Sequence, residues 1–123
     1  MNPISILIDE HSARKIRGSV TWSAQPAPAR VEVRLFWFTT GGAQQIGLVA
    51  KNVISSPLAE DTQRFEFPAP NSPRSFEGNI AALHWALEAI LFPTRACARI
   101  FIKIPADQVL LLHRAERTHA ATL

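Results

Sequence analysis

Side chains that commonly carry out chemistry are few in this sequence, and their spacing is not that of a metal or catalytic site. The four histidines are His11, His84, His113 and His119. None has another histidine, the single cysteine or a carboxylate at a spacing typical of metal ligands. The nucleophile-elbow pattern Gly-x-Ser-x-Gly does not occur, and no Gly-Lys-Ser/Thr follows Gly41-Gly42 to form a phosphate-binding loop. We therefore expect a protein that is not an enzyme and that needs no cofactor and no metal.

Cys97 is a candidate nucleophile that belongs to none of these motifs. Arg95 and Arg99 flank it at strand spacing, and their charge would favour a thiolate. The sequence supplies no general base within reach, so we interpret Cys97 as a bystander thiol on a strand face. His84 and Glu88 also form no catalytic pair, because four residues of strand separate them by about 13 Å.

The size and charge of the chain exclude several classes of protein. Its 123 residues suffice for one domain, and 47% apolar with 19% charged residues is a globular composition. A single cysteine rules out an internal disulfide framework. The net charge is +3, but the arginines are scattered rather than gathered along one stripe, so we expect no binding to nucleic acid.

No stretch of the sequence predicts a membrane-spanning helix. The longest apolar stretch, 80–92, includes His84 and Glu88, and a span needs about 20 mostly apolar residues. Ile4–Ile8 is too short for the apolar region of a signal peptide and is followed by two acidic residues. We expect a cytoplasmic protein, which agrees with the low cysteine content.

Alternation of apolar and polar side chains predicts short β-strands along most of the chain. The predicted strands are Ile4–Ile8, Arg17–Ser23, Val31–Thr39, Gln45–Ser55, Arg64–Phe67 and Arg95–Ile104. The clearest is Val31–Thr39, where alternate residues from Val31 to Trp37 share one face. Gly41-Gly42 then supplies the backbone freedom that a chain reversal needs.

The segment Asn79–Phe92 satisfies both a helical and a strand pattern. Its alanines and leucines favour a helix, with Leu83, Leu87 and Ile90 on one face. Read as a strand, it directs Leu83, Trp85, Leu87 and Ala89 inward and His84 and Glu88 outward. We favour the strand, because the neighbouring segments all have β patterns at spacings typical of a sandwich.

Together these segments predict an all-β, two-sheet sandwich of immunoglobulin-like type over residues 1–105. Trp22, Trp37 and Trp85 fall on inward faces and are expected to fill much of its core. Residues 106–123 are expected to form a C-terminal tail. Its apolar part, Val109–Leu112, is either a strand or a short helix, and the tail from His113 onward is expected to be disordered.

Three motifs resemble the arrestin-like proteins. They are Arg17-Gly18-Ser19-Val20 before a tryptophan strand, Pro73-Arg74-Ser75-Phe76-Glu77-Gly78, and Leu83-His84-Trp85-Ala86-Leu87-Glu88-Ala89. The resemblance covers roughly 16–105, with His84 where the family commonly has a basic residue. It implies a strand at Asn79–Phe92 and a non-enzymatic adaptor that binds another protein, often near a membrane. The family usually carries two such domains in tandem, whereas this chain has room for one.

One patch is the candidate partner-binding surface. If the strands holding Phe36, His84 and Arg99 are neighbours, their outer faces combine aromatic and basic side chains, with Glu88 among them. Exposed aromatic residues ringed by arginine are typical of protein-binding surfaces. The candidate residues are Arg34, Phe36, Phe38, His84, Arg95, Arg99 and Lys103. The alternative is that the tail segment Val109–Leu112 covers Phe36 and Phe38.

Two other functions fit the same fold. A ligand-binding or enzyme-accessory domain would use an apolar pocket between the sheets, which a core filled with tryptophan would exclude. A self-assembling structural protein would form homo-oligomers through unpaired edge strands, and Arg64–Phe67 is the predicted edge.

Overall fold

The strand prediction is confirmed, and the chain folds as two antiparallel β-sheets packed together. The computed structural model describes residues 2–78 and 80–104 and the backbone of 116–117. These residues form strands and connections without a helix, and so contain no helix able to cross a membrane. The strands are β1 (Ile4–His11), β2 (Lys15–Ser23), β3 (Arg30–Thr40), β4 (Ile46–Ser55), β5 (Glu60–Pro68), β6 (Phe76–Glu77), β7 (Ala82–Phe92), β8 (Cys97–Ile102) and β9 (Glu116–Arg117).

The smaller sheet has the strand order β1-β2-β5, and the larger has the order β4-β3-β7-β8-β9. The short β6 pairs with the first residues of β7. The larger sheet therefore places β3, β7 and β8 side by side, as expected for the candidate surface. Within the described residues, β4 is one edge of the larger sheet and β5 is one edge of the smaller sheet.

The core lies between the two sheets and consists of the alternate side chains of each strand. Trp22 and Trp85 are its largest members, and both are almost completely buried. Each indole N–H is hydrogen-bonded, because Trp22 Nε1 donates to the Leu58 carbonyl at 2.8 Å and Trp85 Nε1 to the Pro73 carbonyl at 2.7 Å. Burying an indole with its N–H satisfied avoids the cost of an unpaired donor. Trp37 is only partly buried at the border of this core.

The Pro-x-Ser-x-x-Gly segment ties β7 to the end of β8. Besides the Pro73 carbonyl bound by Trp85, Ser75 exchanges bonds with Ile104: its N–H donates to the Ile104 carbonyl at 2.8 Å, and its Oγ accepts from the Ile104 N–H at 3.0 Å. Ser75 and Ile104 are both buried, so each backbone group needs this partner. The segment therefore has a structural role in fixing where the chain leaves the larger sheet.

Gly18 in β2 occupies a position that no larger residue fits. A Cβ there would collide with the Leu7 carbonyl on β1 and would approach the Phe65 ring on β5. This close approach lies beside the irregularity in the β1–β2 register between Ile8 and Glu10. The glycine of the Arg17-Gly18-Ser19-Val20 motif is thus explained by packing between three strands.

The structure confirms that the segment around Trp85 is a strand, β7, whose inward side chains lie in the core. It corrects several other details of the sequence analysis. Arg95 lies before β8, in a turn with φ of 68°, rather than in the strand. The edge strand predicted as Arg64–Phe67 extends over the whole of β5. The predicted element at Val109–Leu112 lies outside the described residues, while β9 lies in the part of the tail expected to be disordered.

Candidate protein-interaction surface

The candidate surface is the outer face of the larger sheet, defined as the face turned away from the smaller sheet. Side chains from β3, β7 and β8 form rows across it. In one row Arg34 is opposite Glu88, which in turn is opposite Arg99. In the next rows Phe36 is opposite Ala86, and Phe38 is opposite His84. The register therefore brings a carboxylate between two arginines beside a group of aromatic rings.

The aromatic rings form one continuous cluster on this face. Phe38 lies between Phe36 and Phe101, with ring centroids 6.0 Å apart in both cases, and 5.2 Å from the His84 ring. The guanidinium of Arg99 lies over Phe36 at 5.1 Å and over Phe38 at 5.8 Å. A cation held over aromatic faces is attracted by their electron density. We call these five residues the aromatic cluster.

A second cluster surrounds Phe92 at the end of β7. The guanidinium of Arg30 lies 3.8 Å from its ring centroid, that of Arg95 5.3 Å and that of Arg34 5.8 Å. Three cations around one ring repel one another, and a carboxylate among them offsets this repulsion. Glu32 supplies that carboxylate.

Glu32 is buried and paired with both neighbouring arginines. Its Oε2 accepts from Arg30 Nε at 2.6 Å, and its Oε1 accepts from Arg34 Nη2 at 2.8 Å. Burial acts to raise the pKa of the Glu32 carboxyl, but the bonds from Arg30 and Arg34 and the charges of Arg34 and Lys51 lower the pKa below its ordinary value. The carboxylate is therefore ionised at neutral pH and holds the arginines in place.

Glu88 is the most enclosed charge on the outer face. It has no exposed surface, and its Oε2 accepts from Arg99 Nη2 at 3.2 Å. Its Oε1 and the Nε of Arg99 have no hydrogen-bond partner among the described residues. Arg99 thus joins the buried carboxylate to the aromatic cluster, and both depend on its position.

The accessible part of this face lies towards the β3–β4 turn. A groove of about 420 Å³ opens there, lined by Phe36, Phe38, Thr39, Thr40, Gln44, Gln45, Ile46 and Arg99. Ile46 and Leu48 of β4, opposite Phe38 and Phe36 in the register, are 52% and 50% exposed. We call this feature the outer groove. It combines aromatic and aliphatic walls, amide and hydroxyl groups, and one cation.

The structure brings most of the predicted surface residues together. Phe36, Phe38, His84 and Arg99 belong to the aromatic cluster, and Arg34 lies in the adjacent row. Arg95 reaches the same face through its contact with the Phe92 ring. Lys103 follows β8, which ends at Ile102, and is not among the ring and cation contacts that define the two clusters.

Two assumptions about exposure are wrong. Phe36, expected to be an exposed aromatic, is 1% exposed, and Glu88, expected to face solvent, is completely buried. Strand alternation shows only which face a side chain occupies, so it does not reveal whether that face is covered.

The sequence analysis also left out residues that complete the surface. Glu32, Phe92 and Phe101 all lie on the outer face, and Ile46 lines the groove. Glu32, between two arginines at alternate positions of one strand, carried a signal for its ion pairs. Ile46 carried none, because its position depends on the register of β4.

The candidate nucleophile and metal ligands do not form a reactive site in the described residues. Cys97 is buried with Ile90 and Phe92 in a small apolar cluster. No group of three or more His, Cys, Asp or Glu side chains in this part of the chain is arranged to hold a metal ion.

Neither the models of known protein families nor the curated proteins include a match to this chain.

Proposed function

We propose that this chain is a non-enzymatic protein-interaction or adaptor module of arrestin-like type, and that it binds its partner at the outer groove. The observation that carries the proposal is the combination of exposed Ile46 and Leu48 with the half-buried Phe38 and the cation of Arg99. Protein interfaces are enriched in aromatic residues and arginine, and their strongest contacts lie in such desolvated pockets.

The charges of the outer face favour a partner with acidic and apolar side chains. Among the described residues, Arg30, Arg34, Arg99 and Lys51 are cations on this face, and Glu32 and Glu88 are the carboxylates paired with them. The surplus positive charge would attract an acidic partner and orient it before contact. The apolar walls of the groove would then supply the affinity.

The packing between the sheets favours this function over a ligand-binding or enzyme-accessory domain. Trp22 and Trp85 are buried where an apolar ligand would have to enter. The outer groove instead lies on the surface and is open to a side chain of another protein.

The test is affinity capture from a lysate of the source organism with the chain as bait, followed by cross-linking and mass spectrometry. The native chain is compared with Ile46→Asp, which places a charge in the groove, and with Leu7→Asp. Leu7 is 62% exposed on the smaller sheet. Leu7→Asp is therefore a matched control for replacing an exposed aliphatic side chain by aspartate outside the groove. Near-ultraviolet circular dichroism confirms that both variants fold.

We expect one dominant partner that is retained by Leu7→Asp and reduced by roughly tenfold or more with Ile46→Asp, since an interface hot spot contributes about 2 kcal/mol or more. Cross-links through Lys51 would lie beside the groove. A partner that binds Ile46→Asp as well as the native chain would contradict the outer groove as the site. A bait that enriches no protein would contradict the adaptor function itself.

A further inference from the structure

Among the described residues, four of the eight exposed large apolar side chains lie on β4. Leu48, Val49 and Val53 are 50%, 48% and 43% exposed, and Ile46 lies at the start of the same strand. Within the part of the chain that the structure describes, β4 pairs only with β3 and its other edge is open. Every second residue of such a strand directs its N–H and C=O away from the sheet. Lys51 is the one charged residue in the ten residues of β4.

We infer that the open edge of β4 pairs antiparallel with β4 of a second copy of this chain, about a two-fold axis at Asn52. An isologous interface of this kind uses the same strand of both copies. It would join the two larger sheets into one continuous sheet.

The faces of the β4 side chains restrict the register. From the pairing with β3, Ala50, Asn52 and Ile54 point to the inner face, and Lys51 and Val53 point to the outer face. Residues directly opposite in an antiparallel pair lie on the same face of the sheet. An axis at any single residue meets this condition, but only axes at Asn52 and Val53 leave two further opposed pairs within the regular part of the strand, 50–55.

Polar complementarity selects the axis at Asn52. An axis at Lys51 places two like charges directly opposite each other, which is destabilising. An axis at Val53 places the Asn52 amide opposite the aliphatic side chain of Ile54. An axis at Asn52 lets the two amides hydrogen-bond to each other, since each has both a donor and an acceptor. It also places Ala50 opposite Ile54 and Lys51 opposite Val53.

The consequence is a pair of outer grooves on one extended face. Both copies keep their larger sheet in the same layer, so their partner-binding surfaces would point in the same direction. A partner with two binding segments would then gain affinity from simultaneous contact. The dimer itself does not depend on the proposed function.

The first test is sedimentation equilibrium of the native chain, with protein concentrations from about 1 to about 500 µM, because a short strand pair supports only weak association. We expect the average mass to rise towards twice that of the monomer. Val53→Lys should abolish this rise, because it would place two lysines opposite each other. Thr62→Lys, on the exposed edge strand β5, is the matched control and should dimerise like the native chain.

The second test fixes the register. Asn52→Cys should form an intermolecular disulfide under mild oxidation, because the two Cα atoms at the axis lie about 4.5–5.5 Å apart. Val53→Cys should cross-link far more slowly, because the Val53 positions of the two copies lie diagonally across the strand pair, about 7–8 Å apart. A native chain that stays monomeric over the whole range overturns the inference. Faster cross-linking of Val53→Cys than of Asn52→Cys overturns the axis at Asn52.

Discussion

The two faces of the larger sheet are built from the same strands but are stabilised in different ways. On the inner face, Leu35, Trp85 and Leu87 are buried in the apolar core between the two sheets. On the outer face, Glu32 and Glu88 are just as buried, yet they depend on arginines for their stability. Burial on the inner face removes hydrocarbon from water, which is favourable by itself. Burial on the outer face is tolerated only while each charge keeps its partner.

The largest expected effect is on the inner face, from Trp85→Ala. It removes a completely buried indole and leaves a cavity, which typically costs about 3–5 kcal/mol of unfolding free energy. Urea denaturation followed by circular dichroism measures the change. Trp85→Phe is the control, because it keeps most of the ring packing and loses the bond to the Pro73 carbonyl. It should cost clearly less, and equal losses for the two variants would show that the hydrogen bond, not the packing, dominates.

A somewhat smaller effect is expected on the outer face, from Arg99→Met. The methionine keeps much of the side-chain length but leaves the enclosed Glu88 without its cation. Breaking a buried pair from one side costs about 3 kcal/mol. The double variant Arg99→Met with Glu88→Leu should recover most of the loss in the same urea experiment, because no unpaired charge is left.

The double variant separates two roles of Arg99. If it is no more stable than Arg99→Met alone, the loss comes from the contacts of the guanidinium with Phe36 and Phe38 rather than from the ion pair. In that case the outer face, like the inner face, would be stabilised by side-chain packing rather than by ion pairs. The proposed difference between the two faces would then be wrong.

The inner face was the part that the sequence predicted well. Alternation in Val31–Thr39 and in the segment around Trp85 identified the side chains that fill the core, because a strand facing another sheet must be apolar at every second position. The β patterns of the neighbouring segments and the resemblance to arrestin-like proteins resolved the helical pattern of Leu83, Leu87 and Ile90 in favour of a strand. The order of β3, β7 and β8 was expected from an immunoglobulin-like arrangement of the strands.

The outer face and the sheet edges were predicted less well. The burial of Phe36 and Glu88 depends on what surrounds them in three dimensions, which periodicity along one strand does not contain. The choice of Arg64–Phe67 as the open edge missed β4, whose exposed apolar side chains follow from its place at the end of the larger sheet. Four of the nine residues of β5 are charged, which protects that edge against pairing.

The smallest expected effect concerns the pH dependence of the outer face, through Glu32→Gln. Because Arg30 and Arg34 lower the pKa of Glu32 in the folded chain, the carboxylate stabilises the fold at neutral pH. This contribution is fully present at pH values above the ordinary glutamate pKa of about 4.3. It is lost as the pH falls from that value to the lower pKa that Glu32 has in the folded chain. The variant should be less stable than the native chain at pH 7 by about 1.5 kcal/mol, the scale of hydrogen bonds to a charged group.

The difference between the native chain and Glu32→Gln should therefore shrink as the pH is lowered, because the native carboxylate becomes protonated and loses the same interactions. Urea denaturation at several pH values between about 7 and about 3 measures this directly. Glu77→Gln removes an exposed carboxylate and is the control for the loss of one charge. Its unfolding free energy should differ little from that of the native chain at both the highest and the lowest pH. A difference for Glu32→Gln that stays constant with pH would mean that its ion pairs do not set the stability of the outer face. The arginines around Phe92 would then be held by the ring alone.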